Sequence, residues 1–441
     1  MAAEAHPAPP PANLFTPSFG HSPHQMVGRD ALLRSLYEAM QSGSGHKHRS
    51  TLVMGPRASG KTVMLNAVEE MAAELGYVTI SVDAGTAGVA ERILRRIDRA
   101  AAELQQGTPR RQPETRTKAG LHLGPLSLSH ERKRERSASP TGDIREALDG
   151  FQRRVIAEGA AGVLLTVDEM HRVDIGEMIR LANDLQHVTA RAEAAVMFVG
   201  ASLPDIKSLL DDDRLSFFRR CADEDLAPLD TADAYAFITG TMSDAGGDYD
   251  PDAVYSLAET AGPLPYEMQL LGDYAWRFAG APMRPIGHEA VEAALRSASA
   301  EMHRKVYAPL WARLSSDERQ VITEFAGNEG CVTRQHLGQA LTGMIDRLGD
   351  IVRSLEYRAC LAAADDSPDS DPDLLCLGPA LSLAAAQHEA RIETAYRQNA
   401  AYTGPAGPTG TRLPRCAKLM PRAKKRCVLR RGHSGGCKSR I

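Results

Sequence analysis

Residues 51–62 read Thr-Leu-Val-Met-Gly-Pro-Arg-Ala-Ser-Gly-Lys-Thr. An apolar, β-prone run gives way to a turn bounded by glycines, and Lys61-Thr62 opens an amphipathic stretch reaching about residue 75. Few segments constrain a fold so tightly. Gly55 and Gly60 admit backbone conformations closed to residues that carry a Cβ, so backbone N–H groups of the turn can converge on one point. The helix that follows aims its positive N-terminal end at the same point. Such a cradle suits phosphate. This is the P-loop pattern in its strand–loop–helix context, and it nominates Gly55, Pro56, Arg57, Ala58, Ser59, Gly60, Lys61, Thr62 and Val63 as nucleotide contacts. Lys61 is expected to reach the β- and γ-phosphates, and the Thr62 hydroxyl to coordinate Mg²⁺.

A P-loop needs an acidic answer at the end of a buried strand. Val163–Val167 is such a run, and Asp168-Glu169 follows it. Asp168 is expected in the Mg²⁺ shell and Glu169 as the group that orients and polarises the attacking water. His171 reads as a bystander on the next turn. A third run, Ala195–Gly200, ends in Ala201-Ser202, where Ser202 either senses the γ-phosphate or simply caps the strand. Arg214, Arg219 and Arg220 lie further on, each either a guanidinium for the transferring phosphoryl group or part of a solvated basic face. Arg220 is the one nominated.

The apolar runs 51–54, 77–82, 163–167 and 195–200 alternate with helix-like stretches, which predicts an α/β core with a parallel sheet over residues 24–230. Residues 1–23 are Pro/Ala-rich and read as disordered. Residues 105–142, rich in Arg, Pro, Ser and Gly, read as a basic insertion, with a β-hairpin at 121–129. An all-α segment is expected over 231–303. Over 304–400 the order helix, short helix, longer helix and two short apolar runs resembles a winged helix, a linker follows at 401–415, and a Cys/His tail occupies 416–441. No run of about 18 residues is uniformly apolar, so no membrane helix is expected. The N-terminus lacks the basic and apolar regions of a secretory signal, and the seven cysteines are an odd number with four scattered widely. That pattern points to a reducing cytoplasm.

With Val27-Gly28-Arg29 ahead of the P-loop, and Phe217-Phe218-Arg219-Arg220 and Leu226–Leu229 after the acidic strand, the chain resembles the AAA+ and STAND ATPases over about residues 25–400. The likeness is greatest to the branch of origin-recognition/initiator and archaeal-type ATPases. The resemblance implies ATP and Mg²⁺ as ligands, Gly28 and Arg29 near the adenine, and a helical lid. Residues 261–272 resemble the lid element of that branch and carry over Gly262, Pro265 and Tyr266. Pro263 stands where that element usually has glycine, and the lid has no clear sensor arginine.

Charge divides the chain. From Gly404 to Ile441 there are eleven Lys/Arg and no Asp/Glu, so a chain of net charge −4 carries −15 over residues 1–403. The tail also holds Cys416, Cys427, His433 and Cys437, a set that either binds zinc tetrahedrally or remains three reduced thiols in a basic segment. Opposite this stand an acidic wing segment, 365–373, and a longer helix near 344–358 whose charges cancel. Two functions follow as expectations. One is an ATP-hydrolysing switch that couples nucleotide state to DNA through its basic tail. The other is a STAND-like regulator that assembles with protein partners or with copies of itself.

Overall fold

The computed structural model describes residues 13–401 apart from 19, 86–87, 106–142, 192–193, 262–263, 364–370 and 372. The basic insertion, most of the acidic wing and the Cys/His tail therefore lie outside the described residues. Two compact units are present. One is built on the chain up to Pro309 with Gly349–Ala362 and Gly378–Ala380; the other comprises Leu310–Leu348, Ala363–Leu377 and the chain from Leu381.

The first unit begins with α1 (Asp30–Gln41), β1 (Ser50–Met54), α2 (Lys61–Glu74), β2 (Tyr77–Asp83) and α3 (Val89–Gln105). It continues through α4 (Ile144–Ala157), β3 (Gly162–Asp168), α5 (Ile175–Thr189), β4 (Val196–Ser202), the one-turn helices α6 (Lys207–Leu210) and α7 (Ser216–Arg219), and β5 (Ala222–Asp225). The strands form one sheet of order β2-β3-β4-β1-β5, parallel throughout. Because side chains alternate along a strand, each strand feeds two apolar layers. Val163, Leu165 and Val167 of β3 join the layer packed with α3, α4 and α5, while Leu164 joins the layer packed with α1 and α2. Both faces are thus covered, and the strand ends are left to carry chemistry. β5 is absent from the sequence expectation for a physical reason. It is an edge strand of sequence Ala-Asp-Glu-Asp, with no apolar face to betray it.

Four helices follow in the same unit: α8 (Thr231–Asp244), α9 (Pro251–Thr260), α10 (Pro265–Ala279) and α11 (His288–Met302). Their starts are written in the sequence. Asp230 and Asp233 form a capping box at α8, and Asp250 with Pro251 opens α9.

Beyond α12 (Ala308–Arg313) come α13 (Ser316–Gly327), β6 (Cys331–Thr333), α14 (Arg334–Ala340), α15 (Ile345–Tyr357), β7 (Leu361–Ala363), β8 (Leu374–Leu377) and α16 (Leu383–Ala401). The three strands form a sheet of order β6-β8-β7, and β6 runs antiparallel to β8 with Cys331 opposite Cys376. A disulfide joins that pair. The reading of Cys331 and Cys376 as scattered reduced thiols is thereby corrected. Strand register places them face to face across 45 residues of sequence, which spacing alone does not reveal. Cys221 and Cys360 take no part in a disulfide among the described residues, and both are buried. Among the described residues no helix is long and apolar enough to cross a membrane.

Disorder is the second expectation to be corrected. In the described part of residues 13–23, Phe15 is only 4% exposed, and its ring meets that of Phe237 on α8 edge-on at 6.1 Å. Asn13 Nδ2 donates to Asp273 on α10 (2.8 Å), and the Thr16 amide donates to Gln269 on the same helix (2.8 Å). Asn66 on α2 donates to the Gly20 carbonyl. Among the described residues the Pro/Ala-rich composition hides an aromatic anchor, Phe15, with polar ties to α2 and α10.

Candidate functional site

The turn after β1 has the strained backbone its sequence demands. Ala58 (φ 68°) and Gly60 (φ 92°) are both left-handed. A non-glycine residue in that region costs of order 1–3 kcal/mol, a strain characteristic of functional sites. A Cβ on Gly55 would lie 2.5 Å from Ser59 Oγ and 3.3 Å from Leu226 Cβ, so only glycine closes the turn. Gly60 caps α2 without a side-chain hydrogen bond, leaving the first amides of that helix to a ligand. Ser59 Oγ is buried and has no partner among the described residues. Lys61 is buried beneath the loop, its Nζ donating to the carbonyls of Gly55 (2.8 Å) and Pro56 (2.7 Å). Burial lowers its pKa to about 8, against the pull of Asp168 and Glu169.

The acidic strand end lies beside it. Thr62 Oγ1 donates to Asp168 Oδ2 at 2.6 Å, and the Glu169 amide donates to Asp168 Oδ1 at 2.7 Å. Burial raises the Asp168 pKa, opposed by these two hydrogen bonds. A hydroxyl and a carboxylate so close form a pair of hard oxygen donors, a set that fits Mg²⁺ with its remaining shell filled by water and phosphate. Glu169 itself is left-handed (φ 57°, ψ 35°), turning the chain sharply off β3 while its side chain joins the cavity wall. His171 is closer to the chemistry than the sequence suggests: its Nε2 is 3.5 Å from Glu169 Oε2, and its Nδ1 accepts from the Leu203 amide.

β4 lies between β1 and β3, so its end faces the gap between the P-loop and the acidic pair. Ser202 stands there in register with Met54, its carbonyl accepting from the Gly55 amide (3.3 Å) and its Oγ buried without a partner among the described residues. Buried orphan hydroxyls are costly unless something binds them.

A cavity of about 350 Å³ opens over the P-loop. Arg57 to Met64 form one wall, with Glu169 and Arg29 nearby. Gly28 (φ 65°) has no room for a side chain, since a Cβ would meet Leu229 at 2.5 Å and Asp233 at 2.9 Å; it seats Arg29, whose guanidinium donates to the Gly28 carbonyl. Burial lowers the Arg29 pKa and the Asp233 charge opposes this. Pro265 starts α10 and sits 3.8 Å from the position of a Cβ on Gly60. Tyr266 follows it into the wall and accepts from Lys305 Nζ at 3.1 Å. The remaining wall contains residues the sequence does not nominate: Thr16, Ser18, Gln25, Gln269 and Lys305. Nothing in their local spacing marks them, because tertiary packing alone brings them together.

Not every nominated residue joins this cluster. Arg214 is held by Asp212 (2.7 Å) and Arg219 by Asp213 (3.1 Å), and both arginines are exposed. Arg220, exposed at the end of α7, has no acidic partner among the described residues and does not line the cavity. Gly262 lies outside the described residues, as do Cys416, Cys427, His433 and Cys437.

Comparison with known proteins agrees with this geometry. Residues 25–199 match the AAA ATPase domain family. No curated protein matches the sequence. Among solved structures, the ORC2 protein of Aeropyrum pernix, in ADPNP–ADP complexes, is similar over 85% of this chain and 96% of its own, with 14% identity and a TM-score of 0.56. A Walker-type ATPase of Pyrococcus abyssi is similar over 82% of this chain and 96% of its own, with 14% identity and a TM-score of 0.55. At that identity the likeness is one of fold. Residues 25–199, with the P-loop, the acidic pair and the parallel sheet in place, thus carry an AAA ATPase domain, and beyond them the likeness is one of fold.

Proposed function

We propose that the protein is an ATP-driven switch that acts on DNA, with ATP·Mg²⁺ bound in the cavity over the P-loop. The observation that carries the nucleotide part is the contact of Thr62 with Asp168 beside Lys61. Binding requires Lys61 to exchange its two carbonyl partners for phosphate oxygens. Thr62 and Asp168 hold the metal, whose charge offsets that developing on the phosphoryl group. Glu169 orients and polarises the attacking water, and Ser202 offers its hydroxyl to the γ-phosphate. Gly28, Arg29 and Pro265 enclose the base. The ADPNP and ADP of the Aeropyrum pernix ORC2 complexes support adenine as that base. Arg220, exposed and unpaired among the described residues, suits a guanidinium supplied to a neighbouring copy in a homo-oligomer.

DNA coupling is supported by two features. The order α13-β6-α14-α15-β7-β8, with its β6-β8-β7 sheet, supports the reading of 304–400 as a winged helix. The +11 tail offers a phosphate-binding segment, which one zinc on Cys416, Cys427, His433 and Cys437 would order. One observation favours the second reading, a STAND-like regulator with protein partners. Arg347 on α15 is engaged by Asp317 at 2.7 Å and Arg353 by Asp350, so that helix offers few unpaired cations.

Steady-state ATP hydrolysis with and without double-stranded DNA, with Glu169→Gln as the blank, separates the two. Severalfold stimulation that falls steeply with salt supports the DNA switch. Turnover indifferent to DNA, together with an ATP-dependent change in particle mass, supports the regulator. Metal analysis of the full chain is expected to find about one zinc, lost on Cys427→Ser.

A further inference from the structure

The turn after β3 carries more than Glu169. Met170 is fully buried and its Sδ occupies the space a side chain at Gly200 would need, which presses the turn onto the middle of β4. That docking brings His171 to the end of the same strand. Its imidazole is 8% exposed. Nδ1 accepts from the Leu203 amide at 3.4 Å, which leaves the proton of a neutral ring on Nε2, 3.5 Å from Glu169 Oε2. Leu203 directly follows Ser202, the residue whose orphan hydroxyl ends β4. The ring thus bridges the strand end that faces the γ-phosphate position and the carboxylate assigned to the water. Arg172 approaches the same carboxylate oxygen at 3.6 Å, but its side chain is 52% exposed and so only loosely located.

We propose that His171 is a positioning residue that holds the Glu169 carboxylate in a place set by the end of β4, so that occupancy at Ser202 is passed to the water-polarising group. This rests on the catalytic reading of Glu169. The left-handed backbone fixes where the Glu169 side chain begins but not where its carboxylate ends. A buried imidazole restrains the remaining torsions, and misplacement of a reacting group by about 1 Å costs on the order of 100-fold in rate.

The test compares His171→Asn and His171→Gln in the full-length protein, measuring ATP turnover and ATP affinity, with Glu169→Gln as reference. An asparagine Oδ1 can take the place of Nδ1 at the Leu203 amide but does not reach Glu169; a glutamine amide can reach Glu169. His171→Asn is expected to lower kcat by about 10- to 100-fold with ATP affinity within about twofold of wild type, and His171→Gln to restore most of the rate. In the Glu169→Gln background, His171→Asn should cause no further loss. Full turnover in His171→Asn, equal losses in the Asn and Gln variants, or an additional loss in the Glu169→Gln background would each overturn the proposal. Wild-type turnover in Glu169→Gln would instead sink the catalytic reading of Glu169, and this proposal with it.

Discussion

The two ends of the cavity are made in opposite ways. The phosphate end is a continuous segment, Gly55–Thr62, closed by left-handed residues at Ala58 and Gly60 and answered by Asp168. The far end is assembled from Thr16, Gln25, Tyr266, Gln269 and Lys305, side chains contributed by distant parts of the chain. Backbone geometry builds the first; side-chain packing builds the second. Substitutions at the phosphate end should therefore act through charge and be severe, whereas those at the far end should be graded and partly redundant.

The sharpest way to break this contrast is Lys61→Ala. ATP affinity should fall by about 100-fold or more, because a charge-assisted contact to phosphate is lost. Isothermal titration reads this directly, and an affinity within about threefold of wild type would remove Lys61 from the site. Next in size, Glu169→Gln should keep ATP affinity while turnover falls by about 100-fold, the loss of a general base. Normal turnover would leave the acidic strand with a metal-holding role alone.

A pH series sharpens the same comparison. Lys61 in the free protein has its pKa lowered to about 8, so the protonated form that binds phosphate predominates below that value and is depleted above it. ATP affinity should hold on the acid side of about 8 and weaken as pH rises through it, by at most about tenfold per further unit. Lys61→Arg, which does not lose its proton in this range, should give a flatter profile. A wild-type profile as flat as that of the arginine variant would mean that Lys61 keeps its charge throughout.

The smallest effects are expected at the far end. Phe15→Ala removes the aromatic anchor of the N-terminal segment; Gly272→Ala attacks the same contact from α10, where an added Cβ would collide with the Phe15 ring. Each should weaken ATP binding by roughly threefold to tenfold, about 1 kcal/mol, since the rest of the wall remains in place. Matching losses in the two variants, with kcat preserved, would show that the segment acts by enclosing nucleotide. A loss as deep as that of Lys61→Ala would erase the distinction between the two ends.

How much was legible follows the same division. The P-loop and the Asp168-Glu169 pair can be read because both are contiguous and each follows an apolar run. The all-parallel sheet is legible in four of its strands, while β5 escapes because its acidic residues suit an exposed edge. Thr16 and Lys305 reach the cavity through tertiary packing, which leaves no local pattern in the sequence. The Cys331–Cys376 bridge depends on strand register. From sequence alone His171 reads as a bystander, because sequence distance cannot tell a turn that leaves a strand from one pressed back onto its neighbour.

The packed segment around Phe15 has a practical corollary. Its ties run to α10 through Asn13 and Thr16, to α8 through Phe15 and the pairing of His24 and Gln25 with Asp244, and to α2 through Asn66. If α8–α11 act as a lid over bound nucleotide, ties of this kind to the P-loop helix are expected to slow its opening, so a cut or a bulky fusion just upstream of Asn13 is expected to shorten nucleotide residence time before it alters turnover.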